Sequence, residues 1–195
     1  LKLGAIAAAI QKLEHTISLS RHFISAYDLL ADAHEGLGNL ENAQTTINSA
    51  LEVSPRSIER AVRLAQISMQ LNDWVTAEQA YAKVIRLIRE TSHEKVEHYY
   101  EYLKCLTNIM ANSSENSKLV EKFNRTLTHL RAFGKTNPAA ISNSFRIEIQ
   151  QYLARDHIGE AIKSWKQWKR LIKSGQASSL SDAQKHTLKK RLGLL

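Results

Sequence analysis

A repeat period of 34 residues constrains this sequence more than any other feature. The residues that share a slot in consecutive periods are Ala43 and Ala77, Ile47 and Tyr81, Ala50 and Val84, and Gly38 and Asn72. A fixed period of this length, with apolar residues in recurring slots, indicates stacked units that bury their faces against their neighbours. The stretch 24–89 therefore predicts two copies of one helix-turn-helix unit.

The spacing inside each unit is helical. Tyr27, Leu30, Ala31 and His34 follow the i, i+3, i+4, i+7 pattern of one buried stripe. Few glycines and prolines interrupt the chain, which has 7 Gly and 2 Pro. Pro55 ends the second helix of the first full unit, because proline lacks the N–H that a helix interior needs. We therefore predict an all-α fold built from helix hairpins.

The segment AYDLLADAHEGLGNLENAQTTINSALEVSP resembles a tetratricopeptide repeat (TPR). It has the large–small pair of that family at Tyr27 and Ala31, while His34 replaces the family's aromatic. The other matching slots are Gly38, Ala43, Ile47, Ala50 and Pro55. The resemblance implies a right-handed superhelical array of antiparallel helix hairpins with a C-terminal capping helix. It also implies a non-catalytic protein–protein interaction scaffold.

A second segment, SPRSIERAVRLAQISMQLNDWVTAEQAYAKVIRLIRETSH, narrows the resemblance. It is similar to the TPR output regions of bacterial two-component response regulators, in which a receiver domain precedes the repeats. This similarity implies the C-terminal output module of a cytoplasmic signalling protein. No strand pattern carrying a phospho-acceptor aspartate is present in the sequence. Cys105 is the single cysteine, so a reducing compartment is the natural expectation.

We predict a single TPR-like domain over residues 1–195. Its parts are the second helix of a truncated repeat (1–23), two repeats (24–57 and 58–91), a divergent longer hairpin (92–141), a further repeat (142–175) and a capping helix (179–195). The first helix of the truncated repeat would lie outside this sequence, so we expect a preceding element or a dimer contact to cover 1–23. Capping boxes are expected at Thr91 with Glu94 and at Ser181 with Gln184.

No arrangement of residues indicates catalysis or metal binding. His93 and His98 are five residues apart, which turns their rings about 140° from each other on a helix. A zinc-protease helix instead places its histidines at i and i+4. The eight histidines form no cluster with Cys105, and no glycine-rich phosphate loop is present. We therefore predict no enzyme activity, no cofactor and no metal, and no membrane partner because no apolar run is long enough to span a bilayer.

The first helix of each repeat lines the concave groove in TPR proteins that bind peptides. The resemblance places candidate partner-binding residues at Asp28, Asp32, Glu35, Arg63, Gln66, Gln70, Arg146 and Gln150. The acids are expected to favour a basic segment of a protein or peptide partner, and the arginines an acidic one. Asp28 and Asp32 stand where chaperone-binding members have Lys and Asn, so capture of a C-terminal carboxylate is not expected. The alternative is that these side chains only keep the face solvated.

The C-terminal part of the chain is strongly basic. The net charge is +8, and residues 142–195 carry +7 of it, from 11 Lys/Arg and 4 Asp/Glu. Basic residues interleaved with aromatics are typical of a nucleic-acid patch. The candidates are Lys163, Lys166, Lys169, Arg170, Lys189, Lys190 and Arg191. The alternative is a solvated outer helix face with Trp165 and Trp168 in core slots. Nucleic-acid binding is thus one alternative to a protein partner, and self-association as a homo-oligomer is another.

Overall fold

The computed structural model describes residues 2–112 and 116–194, except for the side chains of residues 2, 3 and 136. This part of the chain forms ten α-helices and one 3₁₀ turn, with no strand, which confirms the all-α prediction. The helices are α1 (Lys2–Leu19), α2 (Ile24–Gly36), α3 (Leu40–Val53), α4 (Ile58–Gln70), α5 (Trp74–Ile88), α6 (Val96–Ala111), α7 (Ser117–Phe133), α8 (Pro138–Ala154), α9 (Ile158–Lys173) and α10 (Asp182–Arg191).

The chain divides into two compact units, Leu1–Glu94 and Lys95–Leu195. The first unit holds α1 to α5, and the second holds α6 to α10. The first unit contains 9 Lys/Arg and 11 Asp/Glu, a net charge of −2, whereas the second contains 18 and 8, a net charge of +10. The two units therefore offer different electrostatic surfaces to a partner.

The repeated slots form the core of the first unit. Ala43, Ile47 and Ala50 on α3 have no exposed surface, and the corresponding residues of α5 are equally buried. The residues of the predicted stripe on α2 are also buried, with Tyr27 and His34 only 5% and 7% exposed. Alanine at two of these slots on α3 allows the helices to approach closely. The 34-residue period therefore marks the residues at which neighbouring helices pack.

One turn geometry recurs inside three hairpins. The residues with left-handed backbone are Gly38, Asn72 and Asp156, with φ of 74°, 58° and 58°. In each turn the next residue's N–H donates to the carbonyl five positions earlier, namely Asn39 to His34 (2.9 Å), Asp73 to Ser68 (2.8 Å) and His157 to Tyr152 (2.8 Å). These bonds satisfy carbonyls that a helix end leaves free. The α8–α9 hairpin therefore shares the turn of the two clean repeats.

The two predicted capping boxes have different outcomes. Ser181 Oγ accepts from the N–H of Gln184, and Gln184 Oε1 accepts from the N–H of Ser181, so that box is confirmed. The box at Thr91 and Glu94 is wrong, because the Glu94 carboxylate accepts from the N–H of Glu90 at 2.7 Å. Glu90 has a φ of 62°, and this left-handed turn after α5 brings the carboxylate back to it. The next helix, α6, begins at Val96 without a side-chain cap.

The indoles of α9 belong to the core of the second unit. Trp168 has no exposed surface and Trp165 is 5% exposed, and their rings meet edge to face at 5.7 Å. Trp168 also stacks near Phe145 of α8, with ring centroids 6.3 Å apart. Tyr152 of α8 is only half-buried. The inward indoles leave the basic side chains of α9 on its outer face.

Candidate functional site

In the first unit, ion pairs connect α2 and α4, which are the first helices of the two repeats. Arg60 binds Asp28 through two bonds, Nε to Oδ1 at 2.7 Å and Nη2 to Oδ2 at 2.5 Å. Arg63 binds two acids, with Nε donating to Glu35 Oε1 at 2.8 Å and Nη2 to Asp32 Oδ1 at 2.5 Å. The predicted acids therefore come together with arginines from the next repeat.

Arg60 is a residue that the sequence prediction missed. It lies 32 positions after Asp28, close to one repeat period, and opposite charges at that spacing are the signal that could have identified it. Its hydrogen bond with Asp28 raises the pKa of Arg60 against the opposing effect of burial. Burial also opposes the raised pKa of Arg63, but the bonds to Glu35 and Asp32 outweigh it. Both guanidinium groups stay charged and hold the acids.

These pairs change the expected charge of the face. Three carboxylates meet two guanidinium groups, so one negative charge remains rather than three. Asp32 has the most exposed side chain of the set, at 61%, while Asp28 and Glu35 are each 35% exposed. Gln66 and Gln70 are exposed on α4. Whether these residues bind a partner stays a prediction.

In the second unit, the two predicted sets of residues meet in one cavity. Arg146 and Gln150 are exposed on α8, and with α10 they line a cavity of about 300 Å³. Arg191, predicted as part of the basic patch, is on its wall. The remaining lining residues are Leu180, Ala183, Gln184, Thr187 and Leu188. An apolar floor with two guanidinium groups and two amides on its walls can hold an apolar side chain beside a carboxylate.

The basic side chains of α9 form an exposed stripe. Lys163, Lys166, Lys169 and Arg170 are all exposed, and Lys173 extends the stripe by one turn. The last four of these five residues line a shallow depression of about 200 Å³. The stripe makes no ion pair with the described part of the chain. At the end of α10, Lys190 and Arg191 are exposed and Lys189 is partly buried.

Residues 2–112 and 116–194 contain neither a metal-binding cluster nor a helix that could span a membrane. In that part of the chain, no group of three or more His, Cys, Asp or Glu side chains is placed to hold a metal ion. Of the helices described, none combines the length and the hydrophobicity that a bilayer crossing requires. Cys105 is buried on α6 as a free thiol.

Comparison with known proteins supports the repeat fold. Residues 24–57 match the family model of the tetratricopeptide repeat. A crystal structure of MamA is 12% identical, covers 88% of this chain and 91% of its own, and has a TM-score of 0.54. YrrB, described as a TPR protein with an unusual peptide-binding site, is 14% identical, with coverage of 84% and 79% and a TM-score of 0.55. At this identity the likeness shows the fold alone. A search of curated proteins finds no match.

Proposed function

We propose that this chain is a non-catalytic module that binds a segment of a partner protein through the first helices of its hairpins. TPR proteins in general mediate protein–protein interaction, and a peptide-binding site is part of the description of YrrB. The observation that carries the proposal is the cavity between α8 and α10, where Arg146, Gln150 and Arg191 surround an apolar floor. The partner segment would place an apolar side chain there with an acidic group beside it.

A peptide selection tests this function directly. Peptides selected from a random library on the intact chain should be enriched in acidic residues next to a large apolar one. Arg146→Ala with Arg191→Ala should weaken the selected peptides at least tenfold, because each arginine contributes charge-assisted bonds to the carboxylate. Lys118→Ala, a change of an exposed cation on α7, is the matched control and should bind normally. Selected peptides that bind the double variant as well as the parent would contradict the proposal.

We also propose a cellular setting for this module. The likeness of residues 54–93 to response-regulator TPR segments supports a cytoplasmic output module whose partner is bound under control of a receiver domain. Reading the gene upstream of residue 1 tests this setting. A receiver domain there would support it, and a different domain would refute it. Self-association through residues 1–23 stays a prediction, which light scattering of the chain addresses.

The exposed stripe on α9 favours a second candidate function, polyanion binding. Its five cations lie within residues 163–173 and face solvent, while the neighbouring indoles are buried. Such a surface contacts phosphates without stacking on bases, so binding would be strongly salt-dependent and insensitive to sequence. Fluorescence anisotropy with duplex and single-stranded oligonucleotides at low and physiological salt measures it. No binding at low salt would end this candidate.

A further inference from the structure

A cavity of the first unit lies among α1, α2 and α3, and it is lined by none of the ion-paired residues. It has a volume of about 360 Å³. Glu14 and Ile17 of α1, Leu30 and His34 of α2, and three hydroxyl residues of α3 are among the residues that line it. The sequence analysis placed no partner-binding residue in this cavity, although it expected a preceding element or a dimer contact to cover residues 1–23.

The three hydroxyl groups of α3 in this cavity already donate hydrogen bonds to backbone carbonyls of the same helix. Thr45 Oγ1 donates to the carbonyl of Glu41 at 2.9 Å, Thr46 Oγ1 to that of Asn42 at 2.7 Å, and Ser49 Oγ to that of Thr45 at 3.1 Å. A hydroxyl has one proton, so only the acceptor lone pairs of these oxygens remain available. Glu14 adds an exposed carboxylate without an ion pair to any described residue. The cavity therefore presents these acceptors and one negative charge, beside the Asn42 amide and the Tyr27 hydroxyl, which can also donate.

His34 also lines this cavity. Its side chain is 7% exposed, and its Nδ1 atom is buried with no hydrogen-bond partner among the described residues. Ser68 occupies the same slot one repeat later, and its Oγ accepts from Gln44 Nε2 at 2.9 Å. The residue 34 positions before Gln44 is Ile10, which has no donor to offer. The first full repeat thus lacks the donor that its successor has.

The corresponding cavity of the next repeat contains the complementary group. That cavity has a volume of about 380 Å³, and seven of its nine lining residues lie 34 positions after residues of the first cavity. Asn48 takes the place of Glu14, while Glu52 and Pro55 complete the lining. Lys83 takes the place of Ser49 and lines it. The second repeat therefore has Lys83 at the slot where the first repeat has Ser49, whose hydroxyl oxygen can only accept. An ammonium group carries three donors and no acceptor, which matches the open cavity.

We propose that the cavity among α1, α2 and α3 binds a lysine side chain of the partner protein. The ammonium group lies against the Glu14 carboxylate and the hydroxyl oxygens of α3, and the aliphatic stem packs on Ile17 and Leu30. The His34 ring forms part of the same wall. This proposal rests on the proposed function and names one side chain of the partner, at a surface separate from the α8–α10 cavity.

The test uses a small probe and NMR of the intact, isotope-labelled chain. Nα-acetyl-lysine N-methylamide should give saturable chemical-shift changes in α1 to α3, and the uncharged norleucine analogue should not. Glu14→Gln should weaken the lysine probe about tenfold, because a charge-assisted bond is lost. Glu41→Gln removes an exposed carboxylate of α3 that does not line the cavity, and it should leave binding unchanged.

A filling variant completes the experiment. Ser49→Lys introduces the residue that the next repeat has at this slot, and it should abolish binding of the probe while the helical spectrum is retained. Equal shifts with the norleucine analogue, or undiminished binding by Glu14→Gln, would overturn the proposal. Peptides that still depend on Arg146 and Arg191 would then show that the proposed function survives, so the two failures are distinguishable.

Discussion

Asp28 and Arg60 form a two-bond ion pair between the first helices of adjacent repeats, although 32 residues separate them in the chain. The side chains are 35% and 19% exposed, so solvent screens the pair only in part. A double-mutant cycle with Asp28→Asn and Arg60→Gln should give a coupling energy of about 1 kcal/mol, at the upper end for accessible pairs. Urea denaturation at low and high salt measures it, and salt should reduce the coupling.

A second ion pair provides the control for this cycle. Glu121 and Arg125 lie one turn apart on α7, with side chains 67% and 76% exposed. A helix pair of this kind is worth about 0.3–0.5 kcal/mol. If the Asp28–Arg60 coupling is no larger than this, the pair does not hold the two helices together, and the face is more adaptable than its geometry indicates.

The core of each hairpin could be predicted from sequence because it depends on period alone. A slot such as Ala43 or Ile47 recurs at 34 residues, and burial follows from the recurrence whatever the neighbours are. Tyr152 shows the limit of this argument. It lies seven residues after Phe145, as His34 lies seven residues after Tyr27, yet it is only half-buried.

The surface contacts required the three-dimensional structure. The Arg60 bonds depend on how one repeat is placed over the next, which the spacing of apolar residues does not define. The unpaired Nδ1 of His34 accompanies the absence of a donor at Ile10, which becomes visible only when Gln44 is seen bonded to Ser68. A sequence motif reports which residues are present, whereas these sites depend on which hydrogen bonds form and which do not.

Asp73 caps α5, and it provides a prediction about acid stability. Its carboxylate accepts from the N–H of Thr76 at 3.1 Å and from Gln44 Nε2 at 2.9 Å. Burial alone would raise the pKa of Asp73, but the bonds from Thr76 and Gln44 outweigh it and lower the pKa below its ordinary value of 3.8. A lowered folded-state pKa gives stability that is present above the unfolded value and is lost as the pH falls through the folded value.

Asp73→Ala should therefore cost about 1 kcal/mol at neutral pH. The difference between variant and parent should shrink in urea titrations repeated below about pH 4. Asn39 stands 34 residues earlier and caps α3 without a side-chain bond, so Asn39→Ala is the matched control and should cost less. A difference for Asp73→Ala that is the same at pH 3 as at pH 7, with about the same size, would show that the charge plays no part.

Alanine substitutions at Gly38 and Gly159 should change the stability of the chain in opposite directions. Gly38 has a φ of 74°, and a methyl group added there would meet no atom within 4 Å. Gly38→Ala should still destabilise by about 1 kcal/mol, because the left-handed conformation disfavours any Cβ. Gly159 lies in the first turn of α9, also with free space. Gly159→Ala should stabilise by up to about 1 kcal/mol in thermal unfolding. Equal signs for the two variants would refute the backbone explanation.

A variant of Trp168 can distinguish a structural role of α9 from a role in nucleic-acid binding. Its Nε1 donates to Ser142 Oγ at 3.1 Å, and that hydroxyl donates to the carbonyl of Ser178 at 2.8 Å. Trp168→Phe should cost about 1–3 kcal/mol, since it leaves a smaller ring and an unpaired acceptor in the core. The buried indole cannot stack on a base, so oligonucleotide affinity of the folded variant should not change.

The stripe variants should show the reverse behaviour. Lys166→Gln with Lys169→Gln should weaken oligonucleotide binding and reduce its salt dependence by about two phosphate contacts, while stability stays within about 0.5 kcal/mol of the parent. Lys118→Gln with Lys135→Gln removes two exposed cations outside the stripe and controls for net charge. If Trp168→Phe lowers affinity while the folded fraction is unchanged, the indole contacts the ligand. If the two double variants weaken binding equally, the whole charge of the unit, rather than the α9 stripe, attracts the polyanion.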